Sequence, residues 1–166
     1  MAKSQQLFDR LKQKSCYEKF IKANPEAYLY AIFAMFSTEE KEGDKMQFDF
    51  LVEKNNRVAI AEYPFEEVKV SLQEINPKPK KLELSEINLD IEDIPEEVKK
   101  IQKEKKDKTN ITKTIAILKD GAWDLNCLTA TVDILKIKID AKTKECLNFK
   151  KESLMNFIQF KKVKKD

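Results

Sequence analysis

The stretch ITKTIAILKDGAWDLNCLT, residues 111–129, decides the fold. Two apolar segments flank the dipeptide Asp120-Gly121. A dipeptide of this kind adopts the positive φ angles of a tight turn, so it predicts a hairpin of two antiparallel strands. In the second segment alternate residues are apolar, which predicts that one face of the strand is buried. These residues are Trp123, Leu125 and Cys127.

Further strands are predicted on both sides of this hairpin. Residues 27–36 (AYLYAIFAMF) are apolar at odd and even positions alike, which predicts a central strand covered on both faces. Period-two alternation over residues 46–53, 68–72 and 135–139 predicts half-exposed strands. The shorter segments 57–63 and 145–149 complete the set.

Helices are predicted ahead of each group of strands. Ser15 and Glu18 have the spacing of a capping box, so a helix should begin at Ser15. Pro95 and its acidic neighbours predict a second helix start. Because the same order occurs twice, the sequence predicts an α+β fold with antiparallel sheets packed against helices in two repeated helix-plus-meander halves. The first half is residues 1–76; the second is residues 77–166, ending in a short helix and a Lys-rich tail.

The chain has 166 residues, no His and 2 Gly, and these shortages exclude several classes of enzyme. Without His there is no Ser-His-Asp or Cys-His nucleophile and no imidazole metal ligand. Two Gly cannot form the common phosphate-binding loops. The acidic segments 38–43 and 92–97 are interpreted as a hairpin loop and a helix start. We therefore expect no enzyme activity, no catalytic residue, no cofactor and no metal site.

The positive charge of the chain is local. The net charge is +3, but residues 99–108 contain six Lys and two acids, and the tail Lys161–Asp166 is also basic. Of 32 basic residues only Arg10 and Arg57 are Arg, whereas nucleic-acid recognition favours the guanidinium group. Weak nucleic-acid binding through the Lys-rich tail is thus a disfavoured alternative.

Several features predict a cytoplasmic location. The amino-terminal residues lack the apolar stretch and cleavage site of a secretory signal. The longest apolar run has ten residues, whereas a membrane-spanning helix needs about 20. The three cysteines, Cys16, Cys127 and Cys146, are an odd number without a C-x-x-C spacing, which is typical of buried thiols in a reducing compartment.

The segment 111–149 resembles a PepSY-type or cystatin-like α+β module. The resemblance rests on the Trp123-led strand and on the later strand that ends Ile139-Asp140-Ala141, followed by a turn with Thr143. Lys144 stands where such modules usually have Gly. The resemblance implies a helix packed across a curved antiparallel sheet, a binding or inhibitory role and no catalytic residues. It makes the second predicted half PepSY-like.

Aromatic residues are the candidate binding surface. The chain has more of them than a small core requires, and some are expected to line one face of the sheet or a cleft between helix and sheet. The candidates are Tyr28, Tyr30, Phe48, Phe50, Tyr63 and Trp123.

Two functions remain open at this point. The first is a non-enzymatic intracellular binding or protein-interaction module whose partner is unknown. The second is a carrier of a small apolar ligand in a cleft between helix and sheet. Neither hypothesis identifies the partner, the ligand or the oligomeric state.

Overall fold

The computed structural model describes residues 3–38, 44–55, 57–73, 75 and 78–154. Over these residues the chain forms three α-helices, α1 (Lys3–Lys12), α2 (Ser15–Ala23) and α3 (Ile94–Glu104). It also forms eight β-strands: β1 (Tyr28–Ser37), β2 (Lys45–Val52), β3 (Arg57–Glu62), β4 (Lys69–Leu72), β5 (Ile111–Lys119), β6 (Ala122–Thr129), β7 (Asp133–Asp140) and β8 (Cys146–Ser153). The strands predicted from alternation therefore form close to the expected boundaries.

The eight strands form one antiparallel sheet in the order β4-β3-β2-β1-β5-β6-β7-β8. The two meanders are joined where β1 pairs with β5, in a register that includes Phe33–Ile117 and Met35–Ile115. The prediction of antiparallel sheets in two repeated helix-plus-meander halves is therefore wrong. Strand dominates the fold and the helices are short. Local periodicity missed this because it carries no information about pairing between strands far apart in the sequence.

The division into residues 1–76 and 77–166 stays a prediction. Residues 76 and 77 lie outside the described part of the chain, as do the predicted closing helix and the Lys-rich tail, which fall within residues 154–166 apart from Leu154.

The hairpin predicted between β5 and β6 is confirmed. Asp120 has φ 52° and Gly121 has φ 81°, the left-handed pair that a two-residue hairpin of this type requires. The Asp120 carboxylate also accepts a hydrogen bond of 3.1 Å from the backbone N–H of Lys80. The turn is thus tied to the segment that follows β4. The other glycine, Gly43, lies outside the described residues.

All three helices pack on the same face of the sheet, which we call the covered face. Leu11 of α1, Phe20 of α2 and Ile101 of α3 belong to one buried cluster with Phe48 of β2 and Ile137 of β7. Burying side chains of this size contributes roughly 1.5–3 kcal/mol each. The main core of the protein therefore lies between the helices and this face.

The second helix begins at Ser15, as predicted, but not through a capping box. Lys14 is the N-cap residue and its side chain makes no capping hydrogen bond. Ser15 is the first residue of the helix itself. The chain turns directly from α1 into α2, with the N–H of Lys14 bonded to the carbonyl of Leu11 at 3.0 Å. That backbone bond, and not a serine side chain, connects the two helices.

The turn between β7 and β8 contains Lys144 in the left-handed region, with φ 66°. The Asp140 carboxylate accepts hydrogen bonds of 2.9 Å from the N–H groups of Lys142 and Thr143. These bonds hold the pKa of Asp140 below its ordinary value. Lys144 thus occupies a conformation that Gly adopts at lower cost.

Candidate binding surface

The six aromatic residues predicted as a binding surface do not come together. Phe48, Phe50 and Trp123 are fully buried in the core beneath the helices. The rings of Phe48 and Phe50 both contact Phe8 of α1, at centroid distances of 5.3 and 6.2 Å. The indole N–H of Trp123 donates a 2.8 Å hydrogen bond to the carbonyl of Leu89. These three side chains are structural.

Tyr28 and Tyr30 lie near the start of β1, towards the opposite face of the sheet. A β-bulge between Leu29 and Ala31 brings Tyr30 into a small buried cluster with Ala31. Burial, and secondarily the charge of Asp49, raise the pKa of Tyr30 to about 12. The Tyr28 hydroxyl donates to the carbonyl of Pro79 at 2.9 Å. The segment after β4 therefore covers this end of the second face.

Tyr63 is the exposed member of the set, with 48% of its surface accessible. It follows β3 directly, and its N–H is bonded to the carbonyl of Met46 at 3.0 Å. Its ring packs edge-on against Phe65 at 5.5 Å, and the peptide bond to Pro64 is cis. Tyr63 also lines a cleft beside α1.

The second face of the sheet is uncovered beyond this end. Cross-strand pairing places Phe33 beside Ile117, Met35 beside Ile115, and Leu128 beside Ile134. All six are half-buried, and none packs into either of the two buried clusters. We call this set the open strip: Phe33, Met35, Ile115, Ile117, Leu128 and Ile134.

The prediction that β1 is covered on both faces therefore holds for only part of the strand. Tyr30 and Ala31 are buried on the second face, whereas Phe33 and Met35 are half-buried. The sequence is apolar at both pairs of positions, so it does not distinguish them. The two pairs differ in burial because the segment containing Pro79 crosses this face only at the Tyr30 end of the strand.

Lysines border the open strip on β7 and β8. Lys136 pairs across the sheet with Asn126 on one side and Lys150 on the other, and Lys138 is the next residue of β7 on the same face. We call Lys136, Lys138 and Lys150 the lysine rim; all three are exposed.

One carboxylate partly neutralises this rim. Glu152 forms ion pairs with Lys136 at 3.1 Å and with Lys150 at 3.0 Å. Hydrogen bonds to these two ammonium groups hold the pKa of Glu152 below its ordinary value. Lys138 has no ion pair with any residue in the described part of the chain. The rim therefore keeps an excess of positive charge.

Two aspartates on this face differ in environment. Asp124 occupies a polar position in the alternation of β6 and is exposed. Asp49 occupies the corresponding kind of position in β2, but it is half-buried between Ala31 and Ile60 on neighbouring strands. Burial raises its pKa, although the Gln47 side-chain amide donates a 2.8 Å hydrogen bond to it. The register of β1 and β3 around β2 creates this environment.

The cysteines and acidic groups of the described residues form no reactive cluster. The three cysteines are free, and burial raises the pKa of Cys127 to about 11, so it remains a thiol at neutral pH. In the part of the chain that the structure describes, no group of three or more potential ligands could hold a metal ion. Nor does any helix there have the length and apolar character needed to cross a membrane.

Sequence reasoning missed the open strip. The signal it lacked is the pairing of β1 with β5, which brings Phe33 and Met35 next to Ile117 and Ile115. The alternation of Lys136 and Lys138 with apolar residues in β7 indicated two residues of the lysine rim. The sequence did not indicate that these lysines lie beside an apolar surface.

Comparison with known proteins finds a structure of similar fold but identifies no protein family. No protein-family model and no curated protein sequence matches the chain. A crystal structure of a "putative lipoprotein" from Clostridium difficile 630 is similar, with a TM-score of 0.51 and 12% sequence identity. The similarity covers 86% of this chain and 97% of the other. At that identity the likeness extends to the arrangement of the backbone alone.

Proposed function

We propose that this protein is a non-enzymatic binding protein that docks an acidic protein partner on the open strip and its lysine rim. The observation that carries the proposal is the open strip itself. Its six apolar side chains form three cross-strand pairs on one face, and all are partly exposed and outside both buried clusters. Contiguous exposed apolar surface of this kind, rimmed by polar residues, is typical of interaction sites.

The charge around the strip selects the class of partner. Lys136, Lys138 and Lys150 stand on one side of it. Among the described residues Glu152 forms ion pairs with Lys136 and Lys150, and Asp124 is the cross-strand neighbour of Lys138 without an ion pair to it, so the three lysines outnumber the two carboxylates. A partner with an apolar centre and flanking carboxylates would contact both parts at once. Such complementarity raises the rate of association and excludes partners of the wrong charge. Arg is nearly absent from the chain, which disfavours nucleic acid as the partner.

The test uses a defined acidic and aromatic polypeptide, a random copolymer of Glu and Tyr. Methyl NMR would follow Ile115, Ile117 and Ile134 during the titration, with the buried Ile137 as the internal reference. We expect shifts in the open-strip methyl groups, little change at Ile137, and affinity that falls as salt is added.

The variant Ile117→Glu should weaken copolymer binding by more than about tenfold, because it places a like charge in the docking surface. The matched control is Val70→Glu, which changes an apolar residue of β4 that is 44% exposed and lies on the covered face. Equal binding by both variants would contradict the proposal. So would equally tight binding of oligo(dT) or of phosphatidylglycerol vesicles, because the surface would then recognise negative charge alone.

The resemblance to PepSY-type modules agrees with a binding role but stays a prediction, as does the cytoplasmic location. The absence of enzyme activity is likewise a prediction, which turnover assays would test.

A further inference from the structure

A cleft of about 300 Å³ lies on the covered face, between α1 and the ends of β1 and β2. Its floor is apolar, formed by Leu7 of α1, Ala34 of β1 and Met46 of β2, all of which are buried. Phe36 and Tyr63 form its walls. A volume of this size is at the lower end of the range for small-molecule sites.

Cations predominate among the described charged residues that line the cleft. Lys3, Leu7 and Arg10 line it at helical spacing along one side of α1, and Lys45 of β2 also lines it. None of these three cations has an ion pair with any residue that the structure describes. Asp44 is the one carboxylate among the described lining residues, and it accepts a 3.0 Å hydrogen bond from the backbone N–H of Ser37.

Arg10 differs from the neighbouring cation of the same helix. Lys12 forms an ion pair with Asp9 at 3.3 Å and lies over the ring of Phe8 at 5.0 Å. Arg10 makes neither kind of contact with the described residues, and it is one of only two arginines in the chain. The planar guanidinium group matches a carboxylate in two parallel hydrogen bonds, which an ammonium group cannot do.

We propose that this cleft binds a small amphipathic carboxylate, with its apolar body on Leu7, Ala34 and Met46 and its charged group at Arg10. The apolar floor accounts for the body of the ligand, and the unpaired cations account for the sign of its head group. Met35 belongs to both the open strip and the lining of this cleft, but the three floor residues lie on the covered face and are not part of the open strip.

Phe36 sets the length of the ligand. It lines this cleft and also a second one of about 550 Å³, which lies beside α3 and is bounded by Val98, Gln102 and Ile111. Phe36 thus borders both spaces. Removing the ring would join them and lengthen the apolar path available to a bound chain.

Decanoate is the probe for the head group, and decanol and decyltrimethylammonium are its matched controls. Calorimetry should find binding of decanoate, much weaker binding of decanol and none of the cation. Arg10→Gln should weaken decanoate binding about tenfold, since one charge-assisted pair of hydrogen bonds is lost. Lys12→Gln should leave the affinity unchanged, because Lys12 does not line the cleft.

The Phe36 variant tests the length of the site. In the wild type, decanoate should bind more tightly than hexadecanoate, and Phe36→Ala should reverse that order. Methyl shifts at Leu7 and Met46 would locate the ligand. Absence of decanoate binding, equal binding of decanol, or an unchanged affinity in Arg10→Gln would each overturn the proposal. Because the open-strip experiments use a different probe and different methyl groups, the two proposals fail separately.

Discussion

The two faces of the sheet are built from similar apolar residues but differ in how deeply those residues are buried. On the covered face Trp123, Leu125 and Ile137 are almost completely buried beneath the helices. On the second face Ile115 and Ile117 lie on the neighbouring strand β5 and stay half-exposed. The difference lies in what packs above each face: the helices bury one face into the main core, whereas part of the other stays partly exposed and is the surface on which we propose that a partner docks.

The largest effect is expected on the covered face at Trp123. Trp123→Ala removes the largest fully buried side chain and the hydrogen bond to the Leu89 carbonyl. Substitutions of this type cost about 3–5 kcal/mol in the free energy of unfolding. Chemical denaturation would measure the loss. A cost near that of a surface change would mean that the helices contribute little to the core.

A matched pair on a single strand sharpens the comparison. Ile137 of β7 is 2% exposed on the covered face, whereas Ile134 of the same strand is half-buried in the open strip. We expect Ile137→Ala to cost about 2–4 kcal/mol and Ile134→Ala about 1 kcal/mol or less. Both values come from the same denaturation experiment. Equal costs would break the distinction between the two faces.

The next effect concerns the half-buried charge on the second face. Because burial raises the pKa of Asp49, the folded state binds its proton more tightly than the unfolded state does. Stability should therefore decline as the pH rises through the unfolded pKa and level off above the folded pKa. Asp49→Asn removes this decline and keeps an oxygen acceptor for Gln47, so it should raise the melting temperature at pH 7.

The control for Asp49 is Asp124→Asn, on the exposed part of the same face. Melting temperatures of the two variants, compared at pH 3 and pH 7, separate burial from charge alone. A gain at pH 7 that is the same in both variants would show that Asp49 is not special.

The smallest effect is expected in a turn that belongs to neither face. Lys144 has φ 66°, a conformation that costs a non-Gly residue about 1–2 kcal/mol. Gly lowers this cost but gains entropy in the unfolded chain, worth about 0.4–1 kcal/mol. Lys144→Gly should thus stabilise the protein by about 0.5 kcal/mol. Lys142→Gly in the same turn is the control. Lys142 does not have a positive φ, so this variant should be less stable than the wild type in the same measurement.

Much of the local structure could be predicted from sequence. The Asp120-Gly121 turn and the alternation of β2, β6 and β7 are short-range signals, and they led to correct strands. The capping box at Ser15 was misleading, because the backbone bond from Lys14 to Leu11 already connects the two helices. The candidate site could not be predicted in the same way. Phe48 and Trp123 were predicted to belong to a binding surface, although they lie in the core.

The sequence by itself determined which segments become strands, because alternation and turn residues act over a few neighbouring positions. It also excluded the nucleophiles and ligands that depend on His. Only the tertiary structure decided that the eight strands form one sheet, that the helices gather on one face, and that Phe33 and Met35 lie beside Ile117 and Ile115. The physical reason is that pairing between distant strands depends on the packing of the whole chain, and no local pattern records it.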